Sequence, residues 1–176
     1  MNMHPSVTGL RSHLSDTFSR LQGQAWRGSL WFRLIGRNTH LEVFPEEASE
    51  MGPNRTYTGS KEIALKQIVG TLSRRGDFDR QFRPLQRYLR DRWVNTYLTL
   101  EREGWDPILV HKVGECYYVE DGHHRVSMAR WLGMTSIQAN VWEYPLQSQP
   151  TTQCQTAPRP EASSSTVYAS VTDYQS

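Results

Sequence analysis

Asp121-Gly122-His123-His124-Arg125 sets an acid, two imidazoles and a guanidinium between the apolar run Cys116-Tyr-Tyr-Val119 and a helical pattern that begins near Val126. The first turn of a helix carries unpaired backbone N–H groups and the positive end of the dipole. An anion there is stabilised by roughly 0.3–1 kcal/mol from the dipole alone. Gly122 lets a ligand approach the backbone, Arg125 offers a planar fork suited to phosphate oxygens, and His123 and His124 offer donors whose strength changes with protonation. Two other readings use the same residues. In the first, Asp121 caps the helix and Arg125 folds back on Glu120 or Asp121, which makes the turn purely structural. In the second, Asp121, His123 and His124 hold a metal. Neighbours on a turn point in different directions, however, and no His-Glu-x-x-His or Cys-x-x-Cys spacing accompanies them.

A second cluster, Ser73-Arg74-Arg75-Gly76-Asp77-Phe78-Asp79, carries two arginines and two carboxylates. One reading is a solvated turn, since Arg and Asp are common at surfaces. The other starts from its place after the first apolar strand of the domain, from which it can face the Asp121–Arg125 turn across a cleft. Arg74 and Arg75 then complete a phosphate clamp, while Asp77 and Asp79 hold a magnesium ion or receive a substrate proton.

The elements that position these residues follow from periodicity. Leu10, Leu14, Phe18, Leu21 and Ala25 share one helical face and travel with Arg11, Arg20, Arg27, Arg33 and Arg37 against the single acid Asp16. This is either a helix packed on the domain with a solvated arginine face or a basic arm for DNA or an acidic protein partner. Ile63, Leu65 and Ile68-Val69 suggest a short strand or turn. Leu89, Trp93, Tyr97 and Leu100 repeat at helical spacing up to Gly104. Pro107 to His111 and Cys116 to Val119 read as a hairpin, a helix runs from about His124 to a cap at Gly133, and Ile137, Ala139 and Val141 alternate as a last strand.

The whole chain, 176 residues with 37% apolar content and a net charge of +2, fits one domain with extensions. Three regions are expected: a basic helical extension over 1–56, an α/β domain of the α+β kind over 57–144, and a disordered tail over 145–176, rich in Pro, Gln, Ser and Thr. Cys116 and Cys154 fall in segments of different composition, so no disulfide framework is expected. No signal-peptide order and no membrane-length apolar run is visible. A cytoplasmic protein without a membrane partner is therefore expected.

The run YYVEDGHHRVSMARWLGMTSIQANVWEY, with the preceding GWDPILVHKVGECYYV, resembles the central part of the ParB/sulfiredoxin superfamily, where a strand enters a Gly-x-x-Arg turn at a helix start. The resemblance covers about Ile63 to Tyr144. It implies a small domain with a mixed sheet and flanking helices that binds nucleotide phosphates through Gly122, His124 and Arg125, with ATP, ADP and CTP equally compatible and magnesium as a candidate companion. Sulfiredoxins carry Gly-Cys-His-Arg; His123 stands at the cysteine's place, which argues against sulfinic acid repair, and Cys116 lies elsewhere, in the preceding strand. Partition proteins of the superfamily carry Gly-Glu-Arg-Arg and continue into a helix-turn-helix domain, for which this chain has no counterpart after Tyr144. Asp121, Gly122, His123 and Arg125 match the Asp-Gly-His-x-Arg sequence of the free-serine kinases. That match implies NTP hydrolysis or phosphoryl transfer to a small molecule, with Asp121 or His123 moving the proton. The alternative is a non-catalytic regulatory or DNA-associated module.

Overall fold

The computed structural model describes residues 7–34, 36, 38–50 and 54–145. Helix α1 spans Val7–Leu34, well beyond the apolar repeat that marks its start. Strand β1 (Glu42–Val43) and helix α2 (Glu46–Glu50) follow, then β2 (Thr56–Ala64), a 3-10 turn at Leu65–Gln67 and β3 (Ile68–Thr71). After a long loop and a second 3-10 turn come α3 (Arg90–Glu103), β4 (Ile108–Val113), β5 (Cys116–Asp121), α4 (His123–Trp131) and β6 (Ser136–Tyr144).

The six strands form one mixed sheet in the order β1-β3-β5-β4-β6-β2. Strands β4 and β5 are the expected antiparallel hairpin, while β3 joins β5 in parallel and β4 joins β6 in parallel. Strand alternation decides which side chains meet the helices. Ile108, Val110, Val119, Ala139 and Val141 point into a core shared with Phe18 and Leu14 of α1, Trp93 of α3 and Val126 and Met128 of α4. Side chains of this size each contribute roughly 1.5–3 kcal/mol when fully buried. The segment expected as an N-terminal extension therefore supplies both a helix and an edge strand to the same core as the domain. Val69, Cys116 and Tyr118 form a smaller cluster with Phe44 and Leu72 on the sheet's other face.

Cys116 is buried and disulfide-bonded, which corrects the expectation drawn from the different composition of the two cysteine-bearing segments, because composition says nothing of distance in the fold. Cys154 and all of the expected tail after Pro145 lie outside the described residues. No helix among the described residues is long and apolar enough to cross a membrane.

Candidate functional site

Parallel pairing of β3 with β5 brings their C-terminal ends together, so the loop after Thr71 and the turn after Asp121 become neighbours. Gly122 makes that turn with φ 104 and ψ 17, and α4 starts at the next residue. A glycine N-cap has no side chain to offer the first-turn N–H groups, and no acid lies in that turn. A cleft of about 830 Å³ opens there. Arg74 and residues 121–125 line one part of it, and Arg92, Asn95, Thr96 and Thr99 of α3 line another.

The two histidines differ in their partners. Nε2 of His123 lies 2.7 Å from Oγ1 of Thr71. That oxygen already accepts from the backbone N–H groups of Ser73, at 3.2 Å, and Arg74, at 3.0 Å. Both its lone pairs are occupied, so the hydroxyl donates to Nε2 and the ring carries its proton on Nδ1. His123 thereby pins the loop to the turn. His124 is 8% exposed, and neither of its ring nitrogens has a hydrogen-bond partner. Its ring meets Phe78 edge-on at 5.4 Å and lines the cleft.

Burial, with Arg74 nearby, pushes the pKa of His123 down to about 4. Burial together with Arg92, Arg74 and His123 does the same for His124. Unfolded histidines titrate near 6.5, so between pH 6.5 and 4 the unfolded chain binds protons that the folded one refuses. Stability is expected to be full above about pH 6.5 and to fall as pH drops toward 4, by on the order of 2 kcal/mol per histidine. Urea unfolding of the wild type and of His124→Gln at pH 7 and pH 5 measures this. Equal pH dependence in the two proteins would rule out His124 as a contributor.

Arg125 is already engaged. Its guanidinium donates to the carbonyl oxygens of Asp106 at 2.6 Å and Pro107 at 3.1 Å, and pairs with Asp121 at 2.5 Å. This is the fold-back anticipated as the structural reading of the motif. With Asp121 largely exposed, the ion pair itself contributes at most about 1 kcal/mol. What Arg125 does here is tie the start of β4 to the turn.

The arginine and aspartate cluster divides in the same way. Arg74 lines the cleft; Arg75 is exposed and does not. Asp77 pairs with Arg74 at 3.0 Å and accepts from the hydroxyl of Tyr88. Asp79 is buried, accepts from the backbone N–H groups of Gln81 and Arg83 and pairs with the Arg83 side chain at 2.7 Å. Those bonds close a tight loop in which Phe82 adopts φ 58, a conformation that costs a bulky residue roughly 1–3 kcal/mol. Asp79 thus spends its oxygens on loop geometry. Among the described residues no group of three or more His, Cys, Asp or Glu is arranged to hold a metal ion.

Three contributions escaped the sequence reading. Thr71 anchors His123. Arg92, Asn95, Thr96 and Thr99 form a polar helical face at steps of three, one and three, a signal visible beside the apolar stripe of Trp93 and Tyr97. Arg130, at the far end of α4, donates to the carbonyl oxygens of Leu65 at 2.9 Å and Ile68 at 2.7 Å and lies 4.9 Å from the Phe82 ring. Of the expected basic arm, Arg11 donates to Asn95 on the cleft wall at 2.7 Å, and Arg20 donates to Thr17.

The chain matches no protein-family model and no curated protein. Among solved structures it is similar to the sulfiredoxin from Arabidopsis thaliana at 23% identity, over 47% of this chain and 82% of that one, with a TM-score of 0.36. What the fold and cleft define by themselves is a mixed α/β domain with an uncapped helix N-terminus opening into a polar, arginine-bearing cleft.

Proposed function

We propose that this domain binds the phosphates of a nucleotide in the cleft at the N-terminus of α4. The observation that carries the reading is His124: a buried imidazole with both nitrogens unpartnered belongs to the wall of a cleft that also holds Arg74, Arg92 and the start of α4, which has no side-chain cap. A buried polar group without a partner costs about 1–3 kcal/mol, and an anionic oxygen at that place relieves the cost. Arg74 and Arg92 supply the charge for phosphate oxygens, while Arg125 and His123 hold the turn in shape. If the bound phosphate is transferred, we assign the proton to Asp121, whose carboxylate is exposed in the cleft wall beside Arg125, since Thr71 occupies Nε2 of His123.

Thermal unfolding against phosphate, pyrophosphate, ATP, ADP, CTP and duplex DNA, each at several salt concentrations, tests the assignment. A nucleotide at a hundred times its Kd is expected to stabilise the fold by about 2.7 kcal/mol. A response confined to DNA and falling steeply with salt would assign the chain to a nucleic-acid module instead. No response to any phosphate compound would refute the proposal.

A further inference from the structure

The same histidine says in what form the ligand is held. We propose that the cleft takes up its anion together with one proton, and that His124 receives it. This rests on the anion-binding reading above and specifies the ligand as an ionised oxyanion whose affinity is set by the protonation of one protein group.

A neutral imidazole presents one N–H and one lone pair. Both nitrogens of His124 are buried and lack partners, so toward an oxyanion in the cleft the neutral ring acts through its dipole, attractive on the N–H side and repulsive on the lone-pair side. Protonation turns both nitrogens into donors. The groups around the ring decide when that happens. Arg92 from α3, Arg74 from the loop after β3 and the adjacent His123 oppose a further positive charge, and Asp77 favours it. Phe78 closes one side with an apolar edge, and Asp121 and Arg125 share the cleft wall, already paired with each other. Burial, followed by the two arginines, dominates and holds the ring neutral, with a pKa of about 4. A bound oxyanion reverses the local balance by neutralising Arg74 and Arg92 and adding its own negative charge beside the ring. The pKa then rises, and linkage requires the affinity to rise as pH falls, by at most about tenfold per pH unit between the two pKa values.

Sulfate is the probe, because unlike phosphate it does not titrate over the working range. Its affinity should be measured by calorimetry from pH 5 to 8, in buffers of different ionisation enthalpy that report proton uptake. The wild type is expected to bind more tightly at lower pH with uptake of up to one proton. His124→Gln, which keeps a donor and an acceptor but cannot take a proton, is expected to bind with a flat profile and no uptake. Independently of any variant, the His124 ring resonances of the wild type should move from the neutral to the imidazolium pattern as sulfate is added at pH 6. Measurable sulfate binding with a flat wild-type profile overturns this inference and leaves the anion site standing; a slope that persists in His124→Gln does the same. If no oxyanion binds at any pH, the site and the inference fall together.

Discussion

Gly122→Ala is expected to lower folding stability by about 2–4 kcal/mol, from backbone strain and overpacking together. At φ 104 the backbone is in a region that a side chain disfavours, and a Cβ at that position would stand 2.4 Å from Cγ2 of Ile108 and 2.8 Å from its Cβ. Ile108 is fully buried at the start of β4, between the sheet and the helices, and has no room to give way. Urea unfolding measures the loss. A variant as stable as the wild type would mean that Ile108 moves aside readily, and the close packing of turn on strand would not be what shapes the cleft.

The second large effect concerns affinity. Replacing both Arg74 and Arg92 by alanine is expected to weaken oxyanion and nucleotide binding by about a hundredfold to a thousandfold, since each charge-assisted hydrogen bond is worth about 1.5–3 kcal/mol. The melting curve without ligand should stay close to that of the wild type. Both side chains are exposed in the cleft wall, and exposed substitutions stay within about 0.5 kcal/mol. The comparison partner is Arg75→Ala, which alters an exposed arginine outside the cleft and should leave affinity unchanged. Equal effects from Arg75 and the Arg74/Arg92 pair would mean that only general charge is being sensed.

Local pattern carried most of the fold. The hairpin of β4 and β5, the helix around Trp93 and Tyr97, and the start of α4 one residue before His124 all follow from apolar spacing. Strand β2 was legible only at its Ile63 end, because it pairs on one side only, at the sheet edge, and Gly59 and Lys61 share the face of Ile63, so its alternation of exposure is not one of apolar residues. Strand β1 is two residues long and gains its place from pairing with β3. Residues near His124 were legible as a candidate site because residue type and helix position coincided there. Partners such as Thr71 and Arg92 were not, because what makes them relevant is a crossing of distant segments. Arg125 shows the opposite limit: its type suggested a phosphate clamp, and sequence spacing gave no sign that its guanidinium also donates to the carbonyl oxygens of Asp106 and Pro107.

Helix α4 is tethered along its whole length. His123 is held by Thr71, Ser127 accepts from the indole of Trp93 at 3.1 Å, and Arg130 grips the carbonyl oxygens of Leu65 and Ile68. A helix tied at its first, middle and last turns is held in place before any ligand arrives, so its N-terminus is preorganised. Little backbone entropy remains to be lost on association. If the proposed anion site is real, discrimination between ligands falls to the exposed arginines of the cleft wall, Arg92 and the Asp77-paired Arg74, while the backbone of α4 offers every ligand the same geometry.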